Sequence, residues 1–257
     1  MLVLGAISTV PFTNLAPVNA ARRGAWLSFG YLARRTVAVW QDISPDELDV
    51  GLRVRLEGGE RVGEIFLADT LANGAGYCSF LGQPDNFERF TKEMAALGEV
   101  WRDQVRHSCD SSCYECLRDY RNQSTHSLLD WQLAVDLLHV IVDGERPGSA
   151  WVAPAQRRAE TFCSTFEGWE VGSAGRYPVC VNPDYRTALA IHHPFEEMRR
   201  EWASEEVLDL FDEMERRGYP LAAPDSHIGL HPIAAFDLDR RPGWVEAQAR
   251  SVGFSWY

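Results

Sequence analysis

His107-Ser108-Cys109-Asp110-Ser111-Ser112-Cys113-Tyr114-Glu115-Cys116 is the stretch on which the reading of the fold turns. It places three cysteines and one histidine in the pattern His-x-Cys-x3-Cys-x2-Cys. A structural zinc site needs about four nitrogen or thiolate donors, and a tight turn lets two cysteines separated by two residues straddle one ion. Cys113 and Cys116 supply such a pair, and His107 and Cys109 supply a second, looser one. The polar run Asp110-Ser111-Ser112 between them suits an exposed loop. The expected metal ligands are therefore His107, Cys109, Cys113 and Cys116, with His126 and Cys78 as alternatives for the fourth position.

Other metal chemistries fit less well. A Cys-x-x-Cys redox pair leaves Cys109 and His107 unexplained. An iron–sulfur cluster can use the same ligands, so zinc is preferred over it without being the sole option. Zinc deaminases carry Glu two residues after a His ligand, and neither His107 nor His126 has one there. Four candidate donors this close together favour a closed structural site over a catalytic one that keeps a water.

Working outward, the formal charge of −12 argues against strong, independent binding to DNA, because such affinity comes largely from neutralising phosphates. The paired arginines Arg22-Arg23 and Arg34-Arg35 read as solvated helix faces. The apolar start Met1 to Pro11 lacks a preceding basic region and fits neither a secretory signal nor a membrane span. Six cysteines without such a signal suggest a reducing cytoplasm, where clustered thiols hold metal more often than they form disulfides.

The expected fold class is α+β: a helix-rich zinc-binding domain with a small β-hairpin over residues 1–143, then a smaller α/β domain over 150–257. Helical spacing marks Asn19 to Gln41 and Asn86 to Gln104, the latter with Phe87, Phe90, Met94, Leu97 and Trp101 on one face. A short helix is expected from near Ala75 to Leu81. Val50 to Leu56 and Val62 to Ala68, joined through Gly58-Gly59, read as a hairpin. Ser127 to Asp143 is expected to be a helix capped by Ser124 or Ser127. Gly144 to Ser149 is linker-like. Beyond it, strands are expected at Tyr177 to Val181, Thr187 to His192 and near Ile233 to Leu238, with a helix from Phe195 to Arg217. Cys163 and Cys180 read as small buried residues.

Three blocks then resemble a known family. They are Leu67-Ala68-Asp69-Thr70-Leu71-Ala72-Asn73-Gly74-Ala75-Gly76-Tyr77-Cys78, the segment His107 to Tyr120, and Asn122-Gln123, His126 and Leu128-Leu129-Asp130-Trp131. Together they look like the MrfA-like zinc-binding domain, over roughly Ala20 to Asp143. That domain occurs at the carboxy-terminal end of DEAD/DEAH-box (superfamily 2) helicases and in helicase-associated anti-phage subunits of the DISARM type. The family signature has four cysteines, and His107 stands at the first of these positions here. The resemblance implies Cys109, Cys113 and Cys116 as ligands, and a role in DNA repair or phage defence.

The chain has no Gly-x4-Gly-Lys-[Ser/Thr] phosphate loop, and its sole lysine, Lys92, lies in the helical context Phe90-Thr91-Lys92-Glu93. The expectation is a non-enzymatic module: a helicase or ATPase motor lies in a partner polypeptide, or this chain is the detached carboxy-terminal portion of one. DNA would then be met through the complex. Two other readings stand beside it. The first is a metal-dependent hydrolase or nuclease built on His192-His193-Pro194, Asp225, His227 and His231; the lysine of the usual Asp…Glu-x-Lys nuclease core is missing. The second is an acidic protein-interaction module unrelated to nucleic acid. Asp69 with Asn73-Gly74-Ala75-Gly76 reads as a strand-to-helix turn in preference to a phosphate cradle.

Overall fold

The computed structural model describes residues 1–6, 10–57, 59–70, 76–103, 105, 107–223 and 226–251. The chain divides into two compact units, Met1–Val10 with Leu15–Arg146, and Pro11–Asn14 with Pro147–Tyr257. No helix among the described residues is long and apolar enough to cross a membrane.

The first unit is built on one long helix. β1 (Leu2–Gly5) is followed by α1 (Ala20–Gln41), whose N-terminus is capped by the Asn19 side chain accepting from the Arg22 amide at 3.0 Å. Ala21, Ala25, Phe29, Leu32 and Val37 recur at helical spacing and are buried. The fully buried side chains on this face, Leu32 among them, each contribute roughly 1.5–3 kcal/mol of apolar burial. A short 3-10 turn, Pro45–Glu47, carries a reciprocal capping box between Ser44 and Glu47. β2 (Leu48–Glu57) and β3 (Glu60–Asp69) form the hairpin, and β1 adds to the other side of β3 in an antiparallel sheet of order β1-β3-β2. Gly59 takes a positive φ of 88°, while Gly58 lies outside the described residues. α2 (Tyr77–Leu81), α3 (Pro84–Arg102) and α4 (Trp131–Val142) complete the unit, and α1 packs on the hairpin, α3 and α4.

The second unit is a mixed four-stranded sheet with helices on both faces. α5 (Val152–Thr165) leads into β4 (Glu170–Ala174), β5 (Tyr177–Asn182) and β6 (Thr187–His192). α6 (Glu205–Arg216) is the crossover to β7 (Gly229–Ala234), followed by α7 (Ala235–Arg240) and α8 (Pro242–Arg250). The order is β4-β5-β6-β7; the first two pairings are antiparallel and β6–β7 is parallel, which is why a helical crossover is needed. Alternate residues feed two cores. Cys180, Leu189, Ile191 and Ile233 pack with α5, α7 and α8, while Tyr177, Val179, Ala188 and Ala190 pack with α6. Strands buried on both faces read as continuous apolar runs.

The whole is α+β, and several elements differ from expectation. The last helix of the first unit starts at Trp131 and not at Ser127; its cap is Asp130, which accepts from the amides of Gln132 and Leu133. Ser127 lies instead in a 3-10 segment, Gln123–Leu128. The helix expected from Phe195 begins only at Glu205, capped by Ser204. Before it, residues 195–197 pair with the chain at 12–14: Asn14 N donates to Phe195 O and Glu197 N to Phe12 O, at 2.8 and 3.1 Å. Phe195 and Met198 are buried without a helix, Met198 in the core shared with α6, while Trp202 at the supposed helical spacing is 64% exposed. The strand expected at Ile233 to Leu238 is the end of β7 followed by α7. Short apolar runs do not distinguish the two conformations by periodicity. α2 starts at Tyr77, with Ala75 outside the described residues. Among the described residues, β1, α5, β4 and α8 have no counterpart among these expectations, and α7 stands where a strand is expected.

Candidate metal centre

The loop between α3 and α4 gathers one nitrogen and three sulfurs. The ligand atoms of His107, Cys109, Cys113 and Cys116 all lie within 4.8 Å of one another. His107 Nε2 is 3.4 Å from Cys113 Sγ, which is 3.7 Å from Cys116 Sγ. Tetrahedral zinc at its usual bond lengths separates two thiolate sulfurs by about 3.8 Å, and a sulfur from a nitrogen by about 3.5 Å. The donor set and these two edges therefore fit one zinc ion.

His107 is held for this role from three sides. Its Nδ1 lies 3.2 Å from the carbonyl oxygen of Trp101, in the last turn of α3. Donation of an Nδ1 proton there would leave the Nε2 lone pair for a bound metal ion. The ring is packed against Trp101 and edge-on against Trp131, with centroids 6.1 and 5.7 Å away, and it is buried.

The Cys113–Cys116 turn is fixed by its own backbone. The amides of Cys116 and Arg118 both donate to the Cys113 carbonyl, at 3.2 and 2.9 Å, and the Cys113 amide reaches Cys116 Sγ at 3.1 Å. Burial pushes the thiols of Cys109 and Cys116 up, and each also faces charge on a neighbouring cysteine. Burial opposes ionisation at Cys113 too, but hydrogen bonds from His107 and from the Glu115 and Cys116 amides outweigh it and hold that thiol below its ordinary range. Clustered thiols that resist losing their protons are the set a divalent cation stabilises as thiolates, releasing protons as it binds.

The α4 block clamps the loop. Trp131 Nε1 donates to Cys109 O at 2.7 Å, and Trp131 N donates to Ser111 O, also at 2.7 Å. The Asp130 amide donates in turn to Ser28 Oγ of α1 at 2.8 Å. On the carboxy-terminal side, the Asp119 carboxylate accepts from the amides of Arg121 and Asn122 and pairs with the buried Arg34 of α1. The sequence reading missed Trp101, Trp131, Ser28 and Arg34; Trp131 stood in the family-like blocks, but no spacing rule ties it to a metal.

The alternatives for the fourth donor are engaged elsewhere. His126 Nε2 sits 2.7 Å from Asn122 Oδ1 and 3.0 Å from Asp119 O, closing a polar turn, and burial holds its pKa low. The Cys78 thiol donates to Leu67 O of β3 at 3.2 Å. In the second unit, His192 Nδ1 bonds the His193 carbonyl and His231 Nε2 the His227 carbonyl, while Asp225 lies outside the described residues. Among the described residues, the four-donor loop is the group arranged to hold a metal ion. The Asn73-Gly74-Ala75 turn also lies outside the described residues, and Asp69 Oδ1 there accepts from the Cys78 amide.

No family model matches the chain, and no solved structure matches it significantly. Among curated proteins it is similar to Druantia protein DruE of Escherichia coli (strain UMEA 4076-1), 32% identical over 111 residues. That stretch takes in 42% of this chain and only 6% of DruE, so the chain is similar to a small part of a far longer protein.

Proposed function

We propose that the first unit is a non-catalytic, zinc-stabilised module of the MrfA-like kind, which belongs to or works with a superfamily 2 helicase acting on DNA, in phage defence or repair. The observation that carries this is the complete tetrahedral donor set on one short loop, clamped between α1, α3 and α4. The similarity of one stretch to Druantia protein DruE is taken in support of the defence setting. The lack of a phosphate-binding loop supports a motor carried by another polypeptide or chain segment.

Zinc, when bound, would supply cross-linking energy and no reaction chemistry. His107 and the three cysteines would hold it, and contacts from Trp101 and Trp131 position the loop that carries them. The clamp then presents Tyr114 and Tyr120, 62% and 83% exposed, on a loop that does not need to order itself on contact with a partner.

The test has two arms. Metal analysis of the purified chain is expected to return one zinc per chain, lost in Cys113→Ala; full metal content in that variant would sink the site. An affinity pull-down from the source cell is expected to recover a phosphate-loop ATPase, whose DNA unwinding weakens when the module is omitted. Recovery of the zinc-loaded chain with no ATPase would sink the helicase reading and leave the metal site standing.

A further inference from the structure

The second unit closes one edge of its sheet and leaves the other open. On the outer side of β7, Leu230 N donates to Pro220 O and Ala222 N donates to Leu230 O, at 2.8 and 3.0 Å. Pro232 removes a further amide from that strand. Covering segments, prolines and charges are the means by which sheet edges are kept from pairing with other chains. β4, at the opposite edge, reads Glu170-Val171-Gly172-Ser173-Ala174 and carries one charge and no proline. It lies on β5 in unbroken antiparallel register, without a bulge. Its first four residues are exposed, Val171 at 41%, and only Ala174 is buried. Among the described residues, no hydrogen bond reaches its outer side.

We infer that the open edge of β4 is a self-association surface. β4 of a second copy of this chain pairs with it antiparallel, about a two-fold axis through Gly172, and joins two four-stranded sheets into one of eight. Such a pairing uses all five residues. It sets Gly172 against Gly172 of the second copy, Val171 against Ser173, and Glu170 against Ala174. Opposed residues in an antiparallel pair alternate between bonded and non-bonded, so a two-fold at Gly172 is self-complementary whichever set faces outward.

Charge and shape select a second copy as the occupant. The symmetry places the two Glu170 carboxylates at opposite ends of the paired strands, roughly 14 Å apart along them. That exceeds the screening length of about 8 Å at physiological salt. The rest of the strand, Val171 to Ala174, is uncharged in a chain of formal charge −12, so a second acidic copy meets little repulsion there. The approach at the axis is open: a Cβ built on Gly172 would find no atom within 4 Å. Val171, opposite Cys180 on its β5 side, gains on its other side the flank that an interior strand has. The register also distinguishes positions. Gly172 meets its own counterpart at about 4.5–5.5 Å between Cα atoms, whereas Ser173 lies diagonal to its own, roughly 8 Å away. A disulfide spans the first separation and not the second.

The experiment uses the full chain loaded with zinc, followed by sedimentation equilibrium over a concentration series at physiological salt. The expected result is a reversible equilibrium between the 29.0 kDa monomer and a species of twice that mass. Gly172→Cys, incubated with oxidised glutathione, is expected to link position 172 to position 172 of the second copy, read by peptide mapping without reduction. Ser173→Cys is expected to stay unlinked to itself. Val171→Glu combined with Ser173→Glu sets like charges opposite each other at two symmetric places and is expected to weaken association about tenfold. Val171→Lys combined with Ser173→Glu sets opposite charges there and is expected to restore it. Both positions are exposed, and circular dichroism checks that the variants fold. A chain that stays monomeric at every concentration overturns the proposal. So does a dimer that the double-glutamate variant leaves unweakened, or one that links through Ser173→Cys in preference to Gly172→Cys.

Discussion

The indole Nε1 of Trp131 donates to the carbonyl oxygen of Cys109 at 2.7 Å, so the first residue of α4 holds the loop that carries the metal donors. The same side chain packs edge-on against His107. One residue therefore couples the start of a helix, the shape of the loop and the orientation of the imidazole.

Trp131→Phe tests that coupling. Phe keeps most of the apolar contact and removes the donor, leaving a Cys109 carbonyl without its partner. An unsatisfied group of this kind costs about 1–3 kcal/mol. The variant is expected to melt earlier and to surrender its metal faster to a colorimetric chelator, with helical content near wild type by circular dichroism. Chelator kinetics identical to wild type would remove Trp131 from the clamp.

The fourth donor is tested by four substitutions read together. His107→Cys restores a four-sulfur set and is expected to keep one metal per chain, while His107→Ala is expected to lose it. Cys78→Ala and His126→Ala are expected to keep it, because those side chains serve Leu67 O and the Asn122 turn. His126→Ala is also expected to lower stability by about 1 kcal/mol through the lost hydrogen bonds. Metal content measured by mass spectrometry decides among them.

A glycine sets the approach of α3 to α4. A Cβ on Gly98 would lie 2.8 Å from Val135 Cγ2, and Val135 is fully buried on α4. Alanine at an exposed helical site would add about 1 kcal/mol over glycine. Here the overlap reverses the sign, and Gly98→Ala is expected to cost about 1–3 kcal/mol. Adding Val135→Ala is expected to return part of the loss, since it removes the clashing methyls; a denaturant double-mutant cycle would show the coupling.

Glu197 ties the Pro11–Asn14 segment into the second unit. Burial raises its pKa, but the Arg199 guanidinium and amide, and Asn14 Nδ2 at 3.0 Å, outweigh that and hold it below the ordinary carboxylate range. A carboxyl with a depressed folded pKa contributes stability that is present above its unfolded value and lost as pH falls through the folded one. The second unit is thus expected to weaken as pH drops below the usual carboxylate range. Glu197→Gln is expected to start less stable at neutral pH and to lose less on acidification. Parallel acid melts of the two proteins give the comparison.

The sequence by itself determined the features whose causes are local. Donors that fall within one short loop can be recognised as a metal set from spacing, and the structure brings those same side chains together. α1, the β2–β3 hairpin, α3 and the strands β5 and β6 are also legible, because hydrophobic period and turn residues act over a few positions. Only the tertiary structure decided what the loop leans on. Trp101, Trp131, Ser28 and Arg34 reach it from three helices, and no local rule links them. Long-range pairing likewise overrode helical spacing at Phe195 and Met198, since extended hydrogen bonds to Phe12 and Asn14 satisfied that backbone instead.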